Sequence, residues 1–362
     1  MTVGSGVVYL FGTEGRGDRI PTKEEKRMPA MESREVRLKE RPTGTPEEDD
    51  FEIAGVRVPE PKEGQVQVRN QWLSVDPYMR GRMFDRESYT PPYQLGEPME
   101  GGALGVVEHS RDPAFPEGAW VLSNFGWREA FVAPGSRLVP IDPELAPPQA
   151  YLGVMGMPGF TAWVGLLEIG QLQEGDHVFV SGAAGAVGST VCQIAKLKGA
   201  SVVGSAGSPE KVAWLEGELG VDAAFNYKTV GNLNRFLPDV ARGGFDLYFD
   251  NVGGEHLEAA LFNMADFGRV VMCGMIDAYN ALVPPRGPRS LLMAIPRRLT
   301  LRGFIVSDHQ ELREVFVEEM ARWISDGQVT WKETVVEGID QAVDAFLGLF
   351  TGENMGKMLV KV

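Results

Sequence analysis

The period of hydrophobic and polar positions changes once along the chain, near residue 150. Before that point apolar residues come in short runs or alternate with polar ones. Strand-like text starts at Glu32. Val66, Val68 and Asn70 alternate with Gln65, Gln67 and Arg69, an extended pattern with one wetter face. Similar pieces recur near 104–109, 118–122 and 128–132, punctuated by Gly and Pro. This predicts a mostly β domain over 31–150, with Pro147-Pro148 at its boundary.

After the boundary the text reads strand, helix, strand. His177–Ser181 is a short apolar run. The helix behind it carries Val187, Val191, Ile194 and Ala195 on one face. Ser201–Gly204, Asp246–Asp250, Arg269–Gly274 and Leu299–Val306 read as further strands, with a helix near 255–265. Strands alternating with helices need right-handed crossovers and predict a parallel sheet over 151–305. Residues 306–362 then predict two helices and a strand. The first helix runs about 309–325 with Ser307 or Asp308 as its cap. The second runs about 339–350, with Ile339, Val343, Phe346, Leu347 and Phe350 on one face. The last strand is Lys357–Val362, and this tail is expected to pack back on the N-terminal domain. Residues 1–30 are Gly-rich, then charged, without a sustained period, and read as a disordered extension.

The most specific local pattern is Ser181-Gly-Ala-Ala-Gly-Ala-Val-Gly188, between a predicted strand and a predicted helix. It is a dinucleotide fingerprint with Ala183 in the first Gly position. Gly185 would let backbone approach a pyrophosphate, Gly188 would let the helix pack on the strand, and the helix N-terminus would attract the phosphates. Standing alone such a turn could be a tight strand–helix connection; its strand–turn–helix–strand context favours a nucleotide. An NAD site usually has an acid at the end of the second strand. Here Gly204-Ser-Ala-Gly-Ser208 has none, and Lys211 follows. Lys211 reads either as a solvated lysine or as a 2′-phosphate ligand; with the acid missing, NADP(H) is the expected cofactor.

Composition narrows the rest. A length of 362 residues suits two domains. A net charge of −15 disfavours nucleic acid and anionic membranes as partners. The two cysteines, Cys192 and Cys273, lie in apolar runs and suit free thiols in a reducing compartment; with no secretory pattern, the cytoplasm is expected. The four histidines, His109, His177, His256 and His309, have no metal-ligand spacing and read mostly as surface or strand-edge residues. No metal is expected, and no Gly-x-Ser-x-Gly elbow is present. Hydride chemistry would then rest on the cofactor and on hydrogen-bond donors.

Several stretches resemble a known family. Leu73–Met83 (LSVDPYMRGRM), Met157–Trp163, Ala206–Val212, Phe225–Lys228 (FNYK), Phe249–Gly254 (FDNVGG), Cys273–Asn280 (CGMIDAYN) and Gly352–Val362 are similar to the zinc-independent branch of the medium-chain dehydrogenases/reductases. That branch is typified by prostaglandin reductase, also called leukotriene hydroxydehydrogenase, and by curcumin and alkenal reductases. The likeness covers roughly residues 31–362. It implies an α/β chain: a GroES-like, mostly β catalytic domain and a Rossmann doubly wound parallel-sheet cofactor domain. It also implies a homodimer and a small enone or enal substrate. Carried over by position, Ala184, Gly185, Ala186, Val187 and Gly188 would line the pyrophosphate, and Lys211 and Tyr227 the 2′-phosphate. Asn251 and Asn354 would hold the ribose and nicotinamide end, and Cys273 and Gly274 would border the cofactor. Tyr279 would reach the substrate oxygen as the catalytic donor, and Tyr78 and Arg80 would flank the substrate pocket. By their residue types alone, Asn251 could be a turn residue, Tyr227 a half-buried aromatic, Tyr78 a turn brace, Asn354 a loop cap and Arg80 an exposed surface charge. A quinone reductase of the same superfamily and a non-catalytic NADPH-binding protein are the alternatives.

Overall fold

The computed structural model describes residues 31–283 and 285–362. The extension expected over 1–30 lies outside the described residues. Two large sheets organise the chain. The first is mixed, in the order Glu333–Glu337, Lys357–Lys361, Gln65–Ser74, Ala103–Ser110, Trp120–Ser123, Val139–Pro140, with Ala130–Pro134 also paired to Gln65–Ser74. A separate antiparallel pair, Met31–Leu38 with Phe51–Val58, lies outside that path.

Gln65–Ser74 is more buried than its alternation suggests. Its neighbours Ala103–Ser110, Ala130–Pro134 and Lys357–Lys361 all pair with it. The wetter face is covered at Gln67, which is buried and donates Nε2–H at 3.0 Å to the Pro59 carbonyl, in the connection that leads into the strand. Asn70 donates to Phe125 O at 2.9 Å and Arg128 O at 2.8 Å.

The second sheet is parallel, in the order Ala223–Asn226, Ser201–Ala206, His177–Val180, Phe245–Asp250, Met264–Met272, Thr300–Gly303. This is the α/β, doubly wound arrangement that the helix–strand alternation predicts. Both of its faces are covered. Val178, Phe179, Val180, Leu247 and Phe249 are each 0% exposed, and Phe179 stacks on Tyr248 with centroids 5.0 Å apart. The sheet order reverses between His177–Val180 and Phe245–Asp250. A crevice opens outside the carboxyl ends of those two strands, which is where such sheets bind ligands.

Three local predictions differ. The helix expected over 309–325 is an α-helix only over Arg313–Ser325. A 3-10 run, Val306–Leu312, precedes it, and neither Ser307 nor Asp308 caps it. The helix near 255–265 ends at Phe262, because Met264 already begins a strand. The short strands Ala223–Asn226 and Glu333–Glu337 were not anticipated. Four or five residues carry too little alternation to declare a period.

The tail returns to the first sheet. Leu359, Val360 and Lys361 pair antiparallel with Ser74, Leu73 and Trp72. Lys357 enters fully buried. It donates to Val75 O at 2.7 Å and Met358 O at 2.9 Å, and stands 3.1 Å from Asp76 Oδ1. Ser74 Oγ donates to the other carboxylate oxygen of Asp76.

Candidate active site

The glycine-rich turn is shaped by close backbone contacts. Gly182 sits at φ +59°. A methyl group at Gly188 would lie 2.3 Å from Gly182 O, so glycine is required where the helix leaves the strand. Ala183 replaces the first glycine of the fingerprint, and the fold accommodates it opposite: a methyl at Gly204 would lie 2.9 Å from Ala183 Cβ. At Gly185, by contrast, a methyl would meet only Gly182 O, at 3.3 Å. Helix Ala186–Leu197 starts there without a side-chain cap, so its first N–H groups are left for a ligand.

The C-terminal segment completes this turn. Gly356 donates its N–H to Ala184 O at 2.8 Å and bridges to Gly185. Gly356 holds φ +68°, and a methyl there would fall 1.9 Å from Lys332 O. Asn354 lines the cleft and donates Nδ2–H to Gly356 O at 2.8 Å, so it caps its own loop while facing the cavity.

At the end of the strand Ser201–Ala206, Ser208 caps helix Pro209–Gly217 by accepting from Lys211 N. Lys211 Nζ donates to Gly352 O at 2.8 Å, and Lys228 Nζ to Thr351 O at 3.5 Å. Tyr227 and Lys228 both approach Gly207, where a methyl would stand 3.3 Å from each. Burial, and then Lys228, pull Lys211 below the ordinary lysine range. Two ammonium groups beside carbonyls, without a described carboxylate partner, make this corner attractive to an anion. Lys228 was not among the expected ligands, although it stands in the FNYK stretch. His256 also departs from its surface reading: it is 4% exposed, packs edge-on to Tyr227 at 5.0 Å, and its Nε2 has no hydrogen-bond partner. Burial holds its pKa down to about 4, so it is a neutral imidazole in the cleft wall.

At the sheet reversal Asp250 is wholly buried. One of its oxygens accepts from Tyr248 OH at 2.6 Å, Gly253 N at 2.8 Å, and Ser181 Oγ and Val252 N at 3.0 Å. Its backbone carbonyl accepts from Cys273 N at 2.9 Å and Gly274 N at 3.0 Å. Asn251 donates Nδ2–H to Ser181 O at 2.8 Å. This network locks the ends of three strands together, so Asn251, Cys273 and Gly274 present a fixed edge to the cleft. Nothing in the sequence marked Asp250, Ser181 and Tyr248 as one unit, because they come from two separated strands.

Tyr279 follows a single 3-10 turn, Ile276–Ala278. A methyl at Gly274 would be 3.3 Å from its hydroxyl, so glycine there makes room for the phenol tip. Burial pushes its pKa above the ordinary value of 10.0, which keeps it protonated and able to donate. Tyr78 lines the same region and so does Tyr89, which lies in a stretch without motif or period. Arg80 differs from expectation: it does not line the cleft. It is 1% exposed, lies behind the wall, and donates Nε–H to Asn280 Oδ1 at 2.9 Å.

The resulting cleft has a volume of about 1060 Å³ and brings together Ala184 to Gly188, Lys211, Tyr227, Asn251, Cys273, Gly274, Tyr279, Tyr78 and Asn354. Glycine cradles, uncapped N–H groups and two lysines fit a phosphorylated dinucleotide. Among the described residues no group of three or more His, Cys, Asp or Glu is placed to hold a metal ion, and no helix is long and apolar enough to cross a membrane.

The family described as N-terminal domain of oxidoreductase matches residues 34–141, and the one described as zinc-binding dehydrogenase matches residues 186–322. Prostaglandin reductase 1 of Bos taurus is 42% identical over 328 residues, covering 90% of this chain and 97% of its own. The NADP(+)-dependent 2-alkenal reductase of Nicotiana tabacum is 41% identical, covering 92% and 98%. The crystal structure of CurA from Vibrio vulnificus in complex with NADPH superposes with a TM-score of 0.86 at 39% identity, covering 91% of this chain and 99% of that one.

Proposed function

The chain belongs to the medium-chain dehydrogenases/reductases, among the prostaglandin and alkenal reductases, and is an NADP-dependent oxidoreductase; we propose that it reduces the carbon–carbon double bond of an α,β-unsaturated ketone or aldehyde. The observation that carries this reading is Tyr279, a protonated phenol held at the cleft beside Gly274. Bound NADPH supplies the hydride, which goes to the β-carbon. Tyr279 donates its hydroxyl hydrogen bond to the carbonyl oxygen, where the electron pair gathers as an enolate, and the α-carbon takes its proton from water. Ala184 to Gly188 hold the pyrophosphate at the helix start. Lys211 and Tyr227, with Lys228, hold the 2′-phosphate, and Asn251, Asn354, Cys273 and Gly274 border the ribose and nicotinamide. Tyr78 shapes the acceptor end. In this reading residues 31–150 form the catalytic domain, 151–305 the cofactor domain, and 306–362 return to the first; free Cys192 and Cys273 suit the cytoplasm.

The test is NADPH oxidation with a simple enone and a 2-alkenal, against a quinone and a saturated aldehyde. Turnover of the enone or alkenal supports the reading. Turnover of the quinone alone, or tight NADPH binding with no turnover, overturns it. The cofactor corner makes a separate prediction. Lys211→Ala should weaken NADPH binding, measured by fluorescence titration, by about 10- to 100-fold while leaving NADH unchanged, because one charge-assisted contact is lost.

A homodimer is also part of the proposal. Among the described residues the strand Thr300–Gly303 ends the parallel sheet with an open edge, and Ile295 and Phe267 nearby are 83% and 68% exposed. An open edge flanked by exposed apolar side chains is most simply covered by a second copy of the same strand. Light scattering on the eluting protein should give twice the chain mass, and Leu301→Pro should give the monomer.

A further inference from the structure

Arg80 carries a full charge into a site that contains no described carboxylate partner. Nε donates to Asn280 Oδ1 at 2.9 Å; Nη2 donates to Gly44 O at 2.7 Å and Pro42 O at 3.4 Å; Nη1 is buried without a partner. The guanidinium also lies 4.1 Å over the ring of Phe84. Burying a cation against amide oxygens is costly, and an apolar side chain would fill the space at lower free energy. What the planar, forked guanidinium adds is geometry: it fixes several acceptors in one plane.

Those acceptors belong to two different parts of the chain. Pro42 and Gly44 lie in the loop between the first two strands, and Asn280 immediately follows Tyr279. The two segments already touch: at Gly44, with φ +84°, a methyl would come 3.2 Å from Leu282 Cδ2. Tyr279 itself has only a single 3-10 turn before it, and beyond Asn280 the chain runs out to Leu282 and Val283, each 74% exposed. The turn before Tyr279 is tied to Val252 O by Asp277 N–H at 3.1 Å; after Tyr279, where the chain becomes exposed, Arg80 supplies the matching tie that holds the hydroxyl to within a fraction of an ångström.

We propose that Arg80 is a positioning residue for the reduction, gripping Asn280 so that the Tyr279 hydroxyl is held at the cleft against the N-terminal part of the chain. The inference rests on Tyr279 being the donor. It makes Arg80 act through that residue rather than on substrate, and it gives the loop Pro42–Gly44 a part in catalysis without any contact with the cleft.

The test uses the intact protein with NADPH and an enone. Arg80→Gln and Asn280→Ala break the same hydrogen bond from its two ends; Asn280 is half-buried, so its variant keeps the test open if Arg80→Gln fails to fold. Both should lower kcat by about tenfold or more, with the NADPH dissociation constant within twofold of the parent. Combined with Tyr279→Phe, neither should slow the enzyme further, since residues acting as one unit are not additive. Unchanged kcat in Asn280→Ala, or losses that multiply with that of Tyr279→Phe, would overturn the inference while leaving Tyr279 as the donor. If Tyr279→Phe is itself as fast as the parent, the donor assignment fails first and this inference with it.

Discussion

Replacing Tyr279 by phenylalanine should lower kcat with an enone by about 100- to 1,000-fold, the loss typical of one donor to a developing oxyanion. NADPH binding should be unchanged, because the variant keeps the ring beside Gly274 and the charged corner around Lys211 is built from other segments. The packing of the ring is kept, so thermal stability should also hold. The size of the effect follows from placement. A hydroxyl that is already desolvated and protonated needs no rearrangement when charge reaches the carbonyl oxygen. Stopped-flow measurement of the hydride step checks this directly. A rate within a few-fold of the parent would remove Tyr279 from the chemistry.

The second large effect concerns stability. Lys357→Met should destabilise the fold by about 3–5 kcal/mol, because it leaves Asp76 buried without its cation. Both partners are nearly inaccessible, with side chains 4% and 8% exposed, and the lysine also ties the carbonyls of Val75 and Met358. Burial pulls the lysine below its ordinary pKa, although Asp76 opposes that pull. Urea denaturation gives the measurement. The double variant Asp76→Asn with Lys357→Met should regain part of the loss, since neither charge then remains stranded. If the single and double variants are equally destabilised, the cost lies in packing and the ion pair is incidental.

Much of this architecture was legible from residue patterns. The change of period near residue 150, the strand before Ser181 and the apolar stripe from Val187 to Ala195 were each strong enough to define the parallel sheet and its glycine-rich turn. What was not legible depended on distant partners. Gln67 reads as a solvent-facing residue because alternation says nothing of the connection at Pro59, whose carbonyl takes up its amide. His256 and Arg80 looked like surface groups because their burial comes from segments far away in sequence, Tyr227 for one and Pro42 to Gly44 with Asn280 for the other. Lys228 was visible as a letter in a motif, but its nearness to Lys211 depends on two strands lying side by side. Tyr89 belongs to an irregular segment and left no periodic trace.

The contact between Gly356 and the turn at Ala184 and Gly185 has a consequence for how the molecule is made. A strand laid down as residues 65–74 receives its last neighbour only when residues 357–361 have emerged, and the same stretch closes the phosphate-binding turn. Sheet and cofactor pocket are thus finished together by residues 356–361, made long after the segments they join. Until then the nascent chain holds most of a nucleotide-binding half but no complete pocket, so the capacity to consume NADPH arises only once residues 356–361 have joined both.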